Sequence, residues 1–409
     1  MPSTPSHAPF SSSFLPPGLR PDLGEHAAKV EALAVALAST AAQRDREGGS
    51  PQAERQRLRD SGLLTLAVPR EHGGAGERWP VLLRIVRRLA QADSSLAHLL
   101  AFQHLQVASV ILFGSAAQQD TYLRATVSQR WFWGNAVNAR DTRLEVTRTA
   151  DGYRLDGIKG FCSGALGSDV LNVSVALGPA PTDRLFLVVP TSRAGIVVND
   201  DWDNMGQRQT DSGTVVFNGV QVGLDEALGP PGAASSARAT LRNVIGQLVL
   251  TELYLGNALG ALDEAVGRVR TQVQPWAASG VAHASDDGLL QLRAGDLWLQ
   301  LAGATALADQ ALDAFQAAWD SGAAFDFDAR GELGMLVAAA RVQAGRTALR
   351  VTEQIFDLVG ARATTRQLGL DRYWRNVRVH TLHDPLDHRQ QAIGRWLLTG
   401  LPADPYGYG

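Results

Sequence analysis

Two histidines and a carboxylate stand close together near the end of the chain. The segment 375–385, RNVRVHTLHDP, carries His380 and His383 three residues apart, with Asp384 directly after the second. The ordinary pKa of imidazole is about 6.5, so either ring can donate or accept a proton near neutral pH. Two imidazoles and a carboxylate could instead bind iron as a facial triad, unless Asp384, next to Pro385, simply caps the following helix. We favour acid–base chemistry and expect no metal site.

Other reactive side chains have an ordinary structural explanation beside a functional one. His98 and His104 lie two turns apart on an apolar helical segment, where a histidine usually packs in the core. Ser163 lies in KGFCSGALGSD at 159–169, a run of small residues in which a lone serine often does no more than form a turn. Cys162, the one cysteine, has no base beside it, so we expect a packed and unreactive thiol.

Hydrophobic periodicity divides the chain into three folded parts. Apolar residues recur at helical spacing at both ends, and short alternating runs fill the middle. The predicted boundaries are a flexible N-terminal arm at 1–25, an N-terminal helical domain at 26–130, a middle β domain at 131–228 and a C-terminal helical bundle at 229–409. The main predicted helices lie at 79–92, 95–113, 116–129, 237–274, 287–320, 328–359, 372–379 and 386–399.

Short local signals mark where these elements begin and turn. Ser50 before a proline predicts a helix N-cap, and Asp93 with the serine after it predicts the cap of the next long helix. Alternation around Asp151-Gly152 predicts a β-hairpin, and LNVSVAL, RLFLVVP and TVVFNGVQV are β-branched runs typical of strands. The order of elements therefore predicts a mainly α protein with a central β domain.

Composition and charge exclude several classes of protein. The 38 Lys and Arg residues against 41 Asp and Glu leave a net charge of -3 without a basic stripe, so nucleic acid is not an expected partner. One cysteine permits no internal disulfide, which favours a reducing cytoplasm, and the first residues lack the pattern of a signal peptide. Polar residues interrupt the apolar stretch 244–266, so we expect a buried bundle helix there and no membrane span.

Five motifs, in one order along the chain, resemble those of a known protein family. They are FQHLQVASVILFG at 102–114, KGFCSGALGSD at 159–169, DWDNMGQRQTDSG at 201–213, FDLVGAR at 356–362 and RNVRVHTLHDP at 375–385. The sequence is similar to the acyl-CoA dehydrogenase superfamily and, within it, to the flavin-dependent monooxygenase branch that includes dibenzothiophene monooxygenase. This resemblance implies an N-terminal α domain, a middle β domain and a C-terminal four-helix bundle. It also implies a homotetramer, with flavin sites shared between subunits.

Two departures from the dehydrogenases of this superfamily indicate a different reaction. Dehydrogenases need a carboxylate base, commonly in a Tyr-Glu-Gly-Thr stretch, and alignment from the shared Arg372 places Thr381 where that glutamate would stand. A hydroxyl of very high pKa cannot act as this base near neutral pH. The Thr-Glu-Pro-type motif beside the flavin is also missing, and GNAVNARD at 134–141 stands in its place.

The monooxygenase resemblance implies a two-component enzyme. An NAD(P)H-dependent flavin reductase would supply FMNH2, whose C4a-hydroperoxide with O2 would oxygenate a small organosulfur compound. The expected acceptor is a sulfide, sulfoxide, sulfone or sulfinate, in sulfur assimilation or desulfurisation. No G-x-G-x-x-G follows a strand, so no Rossmann site is predicted here, in agreement with a separate reductase. The protein itself must supply a dry pocket, a hydrogen bond to the flavin and a proton donor.

The resemblance also assigns roles to individual residues. His383 is expected beside flavin C4a, Ser163 near N5 and His98 in a proton relay on the substrate side. The residues expected to bind FMN are Asn135, Phe161, Ser163, Trp202, Arg270, Arg362 and His380. The residues expected to line the substrate pocket are Phe102, Phe161 and Trp202. Ordinary core packing is the alternative for each aromatic residue, and a plain surface position is the alternative for the two arginines. Asn138 matches the family position less well than Asn135.

Three rival interpretations stay open at this point. A monooxygenase of the same family could hydroxylate an amino-sugar nitrogen with the same residues. An FAD-dependent acyl-CoA dehydrogenase could have moved its base to Glu252, and a non-enzymatic relative could bind DNA through a basic surface. The glycines at 246, 256, 260 and 267 allow close helix approach, which suits a bundle packed against copies of itself.

Overall fold

The computed structural model describes residues 20–138, 140–180, 183–230 and 232–406, and most of the predicted N-terminal arm lies outside them. Within these ranges, helices occupy both ends of the chain and strands occupy the middle. The helices are α1 (Ala27–Glu47), α2 (Gln52–Asp60), α3 (Trp79–Ala92), α4 (Ser94–Phe113), α5 (Ala116–Ser128), α6 (Leu241–Thr271), α7 (Gly288–Asp320), α8 (Phe327–Val359), α9 (Asp371–Thr381) and α10 (Leu386–Thr399). The predicted helix positions are confirmed to within a few residues.

Caps set the starts of the N-terminal helices, in one case as predicted. The Asp93 carboxylate accepts from the backbone N–H groups of Ser95 and Leu96, at 2.9 and 3.1 Å, and so begins α4. The cap predicted at Ser50 is wrong. Its hydroxyl donates instead to Asp211 in the β domain, at 3.1 Å, and α2 begins without a side-chain cap.

The strands form two small sheets. They are β1 (Trp133–Ala136), β2 (Leu144–Arg148), β3 (Gly152–Lys159), β4 (Val170–Ala176), β5 (Arg184–Pro190), β6 (Ile196–Val198) and β7 (Val215–Gly223). One sheet has the order β1-β4-β5, with β1 parallel to β4, and the other has the antiparallel order β2-β3-β7-β6. β2 and β3 form the predicted hairpin, and apolar side chains between the sheets make a separate core.

The helix α6 lies at the centre of the helical core, packed against α3, α4, α7 and α8. A Cβ atom at Gly256 would overlap the carbonyl oxygen of Arg87 on α3, and one at Gly260 would overlap that of Gln91. These two glycines therefore bring α6 against α3 within one chain, rather than against another copy as their spacing suggested. No atom of the described residues lies within 4 Å of a Cβ placed at Gly246.

Among the described residues, two helices are apolar and long enough to cross a membrane by length and composition alone. They are α4 and α6, whose most apolar windows are 83% and 94% buried inside the protein. Such burial is typical of core helices in a folded protein, as the sequence predicts for the stretch within α6.

Candidate active site

A row of hydrogen-bonded side chains joins α4 to the loops of the β domain. His98 Nε2 lies 3.0 Å from the hydroxyl of Ser163, which lies 2.8 Å from that of Ser212. The row continues to Thr210, 2.7 Å from Ser212, and ends at the backbone carbonyl of Gln207, 3.0 Å from the Thr210 hydroxyl. All five residues are buried. The structure thus brings the predicted residues His98 and Ser163 together.

The His98 ring is stacked between an aromatic ring and a second histidine. Its centroid lies 4.0 Å from that of Phe102 and 5.0 Å from that of His380 on α9. His383 lies one turn further along the chain and is exposed in the single chain, although the surrounding protein, and then Arg341, lower its pKa to about 4.

All three histidines are therefore neutral near pH 7. Burial, followed by the charge of His383, lowers the pKa of His98 to about 3. Burial, followed by the nearby imidazoles of His98 and His383, holds the pKa of His380 well below its usual range. Neutral imidazoles each carry one N–H and one bare nitrogen, so these rings can hold or exchange a proton through hydrogen bonds but do not stand as imidazolium acids.

Asp384 does not complete a metal site, and it does not cap α10. Its carboxylate accepts from Arg341 Nη1 at 2.8 Å and from Arg389 Nε at 3.0 Å, and all three residues are buried. Two guanidinium groups thus occupy the carboxylate, and α10 begins without a side-chain cap. Within the described residues no cluster of three His, Cys, Asp or Glu is arranged to hold a metal ion.

The positions of a dehydrogenase base hold no free carboxylate. The hydroxyl of Thr381 donates to the backbone carbonyl of Arg378 at 2.9 Å, inside its own helix. Glu252, the rival base, is fully buried and paired with Arg87, whose Nη2 lies 3.1 Å from Glu252 Oε1. A carboxylate held in a buried ion pair cannot take up a substrate proton without breaking that pair.

Asn135 on β1 lies next to Ser163 and is held by a residue that the sequence did not single out. Its backbone N–H donates to the Ser163 carbonyl at 2.9 Å, and its side-chain oxygen accepts from Gln106 Nε2 at 3.1 Å. Gln106 in turn accepts from Arg242 Nη2 at 3.3 Å. Asn138 is turned away into its loop, where its carbonyl accepts from a lysine.

Two aromatic residues form an apolar wall beside Ser163. Phe161 is 60% exposed, and its ring meets that of Trp202 edge to face, with centroids 5.9 Å apart. Phe161 has a φ of 57°, a left-handed conformation that costs a non-glycine residue free energy and is found mainly where the surrounding structure imposes it. Trp202 is fixed by a hydrogen bond from its indole N–H to the Gln207 carbonyl, at 2.8 Å.

The two arginines predicted to bind the phosphate lie at the C-terminal ends of two long helices. Arg270 lies in the last turn of α6 and Arg362 just after α8, and both are exposed in the single chain. Cys162 is fully buried with its pKa raised to about 12 by burial, and His104 is fully buried in the helical core, as expected for structural residues.

Sequence reasoning missed the residues that hold the others in place: Gln106, Thr210, Ser212, Arg242 and Arg341. Thr210 and Ser212 lie inside the motif 201–213, whose resemblance to the family predicts no role for these hydroxyls. Gln106 is likewise part of the motif 102–114. Arg341 and Arg242 lie in long helical segments, where only their buried partners identify them.

The helices, the β domain and the residues between them define a protein with the acyl-CoA dehydrogenase fold. The N-terminal domain model of acyl-CoA dehydrogenases matches residues 26–130, and the C-terminal domain model matches residues 248–388. The butyryl-CoA dehydrogenase of Megasphaera elsdenii shares the fold, with a TM-score of 0.79 at 20% identity, over 92% of this chain and 99% of that one. The fold class predicted from the sequence is confirmed.

The more similar relatives are monooxygenases. A probable FMNH2-dependent monooxygenase of Pseudomonas putida is 40% identical over 92% of this chain and 95% of its own, and the dibenzothiophene monooxygenase of Rhodococcus erythropolis is 41% identical over 88% and 90%. The methanesulfinate monooxygenase of Pseudomonas fluorescens superimposes with a TM-score of 0.90 at 39% identity, over 93% of this chain and 99% of that one. The chain belongs to the FMNH2-dependent monooxygenases of acyl-CoA dehydrogenase fold.

Proposed function

We propose that this protein is the oxygenase of a two-component system, which uses FMNH2 and O2 to oxygenate a small organosulfur compound. The observation that carries the proposal is the chemical character of the site. Imidazoles and hydroxyls meet at His98, Ser163 and His380, and the nearby carboxylates of Asp384 and Glu252 are both held by buried arginines. Such a site can direct hydrogen bonds and protons, but it has no free base for the α-proton of an acyl thioester.

The residues present fit a reduced flavin. Phe161 and Trp202 offer an apolar aromatic wall, and the side chains of Asn135 and Ser163 offer hydrogen-bonding groups beside it. When bound and reduced, FMN would supply the reaction with O2 and the oxygen atom that is transferred. The family whose members are named as FMNH2-dependent, and the FMN-bound relative from Paenibacillus, support this choice of cofactor.

The histidines would hold and move protons as neutral rings. We assign His383, which is exposed in the single chain, as the group that donates a hydrogen bond where the oxygen atom leaves the cofactor, and His380 as part of the cofactor's surroundings. His98 would take part in a proton relay on the substrate side. The lowered pKa values of His98 and His383 support roles that do not need imidazolium at pH 7.

The assembly that we propose is a homotetramer. Three exposed leucines of α7 share one face, Leu289, Leu292 and Leu299, with exposed fractions of 66%, 71% and 65%. Large apolar side chains arranged in this way usually pack against another chain. Arg270 and Arg362 would then grip the FMN phosphate from different subunits. Leu292→Glu should lower the mass measured by light scattering, and an unchanged mass would contradict the use of this face.

A two-component arrangement needs a flavin reductase partner that uses NAD(P)H. We propose that both proteins act in the cytoplasm, where a chain with a single buried cysteine meets no oxidising machinery.

The experiment supplies photoreduced FMN, 18O2 and one sulfur compound at a time to the purified protein. The compounds tested are dibenzothiophene, methanesulfinate and a dialkyl sulfone, which represent the expected classes of acceptor. Mass spectrometry measures the 18O content of each product. We expect incorporation of one or more 18O atoms only with reduced FMN. If an amine gives a product and none of the sulfur compounds does, the substrate is a nitrogen compound instead. Bleaching of bound FAD by an acyl-CoA without O2 would overturn the proposal.

A further inference from the structure

The hydrogen atoms of the hydroxyl row can be located by counting donors. The Thr210 hydroxyl donates its one hydrogen to the backbone carbonyl of Gln207, which also accepts from Trp202. The Ser212 hydroxyl then donates either to the Thr210 hydroxyl at 2.7 Å or to the Thr210 backbone carbonyl at 3.3 Å, and in both cases the hydrogen between Ser212 and Ser163 belongs to Ser163. With its own hydrogen committed, Ser163 can only accept from His98.

The state of His98 agrees with this direction. A neutral imidazole has one N–H, and the row requires it on Nε2, which lies 3.0 Å from Ser163 Oγ. The other ring nitrogen, Nδ1, is buried and has no hydrogen-bond partner among the described residues. A bare nitrogen is the less costly group to leave unpartnered in that position, because buried N–H groups are almost always bonded. Ser163 Oγ therefore keeps one lone pair for a further donor.

A second row of hydrogen-bonded side chains, Arg242, Gln106 and Asn135, ends beside Ser163. A guanidinium can only donate, so Arg242 fixes the oxygen of the Gln106 amide towards itself and the nitrogen towards Asn135. Asn135 consequently turns its oxygen to Gln106, and its Nδ2 makes no hydrogen bond to any described residue. The amide of Asn172, opposite on β4, is also without a partner in the described chain. Asn135 thus offers a free donor.

The two rows present an acceptor and a donor side by side. Asn135 and Ser163 are joined by the backbone hydrogen bond of 2.9 Å, so the free lone pair of Ser163 and the free N–H of Asn135 belong to one patch. Both side chains keep some accessible surface, 6% and 8% of the residue. A reduced isoalloxazine offers the complementary pair, a donor at N5–H and an acceptor at the C4 carbonyl. The oxidised ring offers two acceptors.

We propose that Thr210 and Ser212 make this site select reduced over oxidised flavin, because they fix the direction of the Ser163 hydroxyl. Arg242 and Gln106 orient the side-chain N–H of Asn135, which would donate to both forms of the flavin. The inference rests on the proposed function, because it concerns the same site and the same cofactor. Thr210, Ser212, Gln106 and Arg242 are positioning residues in this scheme. Of the six residues in the two rows that this scheme uses, only Ser163 and Asn135 would touch the flavin.

The test measures equilibrium binding of FMN to the full-length protein in both redox states, without turnover. Apoprotein is titrated without oxygen with FMN and with photoreduced FMN, and the ratio of the two dissociation constants is compared between variants. Ser212→Ala frees the hydrogen of Ser163 to turn towards N5, so the preference for reduced flavin should fall by about tenfold. Ser212→Thr keeps the hydroxyl and should keep the ratio.

The second row predicts a different pattern. In Gln106→Glu the new carboxylate can only accept, so the Asn135 amide must turn its nitrogen inwards and its oxygen to the cofactor. Both forms of FMN should then bind about tenfold more weakly, and the ratio of the two dissociation constants should hardly change. Ser168→Ala removes a hydroxyl that pairs with Thr191 at 2.7 Å outside both rows, and it should change neither constant.

The outcomes separate this inference from the proposed function. If the wild-type protein binds neither form of FMN, both are overturned. If it binds FMN and the ratio in Ser212→Ala equals that of the wild type, the inference alone is overturned. Thr210→Val, which removes the anchoring hydroxyl with little change of volume, should lower the ratio as Ser212→Ala does. It provides the same test if Ser212→Ala does not fold.

Discussion

Arg341 Nη1 lies 2.8 Å from the carboxylate of Asp384, the residue that directly follows His383. Arg341 is on the long helix α8 and is completely buried, whereas Asp384 lies in the turn between α9 and α10. This ion pair, with Arg389 on the same carboxylate, ties the histidine-bearing turn to the bundle. The turn that carries His383 is therefore anchored to the bundle by a buried charge pair.

Removing the carboxylate of that pair should destabilise the protein. Asp384→Ala leaves Arg341 buried without its counter-charge, and we expect the free energy of unfolding in urea to fall by about 3–5 kcal/mol. Asp371→Ala serves as the control, because the Asp371 side chain is 58% exposed and pairs with Arg375 on the surface of α9. That variant should lose less than about 1 kcal/mol. Equal losses in the two variants would contradict the importance of the buried pair.

Loss of the imidazole at His383 should reduce turnover and leave folding intact. A positioned proton donor contributes on the order of 100- to 10,000-fold to the rate, and His383→Ala should lose product formation in that range. Its unfolding transition should hardly move, since the side chain is exposed. His388→Ala, at an exposed histidine of α10, is the matched control. Wild-type turnover in His383→Ala would refute the assigned role.

Buried neutral histidines should make the protein sensitive to mild acid. Burial lowers the pKa of His104 in the folded state to about 3, against about 6.5 in the unfolded chain. Below pH 6.5 the unfolded chain therefore binds the proton first, and stability falls as the pH drops towards 3. This one group contributes a slope of up to about 1.4 kcal/mol per pH unit.

His104→Leu should reduce that slope. Urea unfolding between pH 7 and 5 would measure the difference in slope from the wild type. The comparison between variants is needed because Asp211, whose pKa burial raises to about 6, acts in the opposite direction and loses stability as the pH rises. Parallel pH profiles for the wild type and His104→Leu would contradict the expectation.

The thiol of Cys162 should be inert in the native protein. Its pKa is raised to about 12 by burial, so at pH 8 only roughly one thiol in ten thousand is a thiolate, and no surface of the residue is accessible. A colorimetric disulfide reagent should release no signal from the folded protein and one equivalent after denaturation. Rapid labelling of native protein would show that the site opens.

The fold could be predicted from the sequence because its signals are local. The hairpin at Asp151-Gly152 and the cap at Asp93 depend on residues that are neighbours along the chain, and the structure contains both. The cap predicted at Ser50 failed for the opposite reason. Its hydroxyl bonds to Asp211, which is 161 positions away, and no local pattern reports that competition.

In the candidate site, too, the features that depend on local motifs could be predicted and those that depend on residues far apart in the sequence could not. His98 and Ser163 were named from motif positions, and the structure places them in contact. The direction of their hydrogen bond depends on Thr210 and Ser212, which fold back from another loop. The role of Asp384 changed from possible metal ligand to ion-pair partner because Arg341, 43 positions away, reaches it in the folded chain.

The contact of α6 with α3 through Gly256 and Gly260 limits which positions of this chain can accept a larger residue. The two helical backbones touch with no side chain between them, so any larger residue there would push the helices apart and disturb every helix that packs on α6. New acceptors must then be accommodated at the tips of side chains such as Phe102, or in the loop around Phe161. Evolution of specificity in this architecture should leave its backbone frame unaltered.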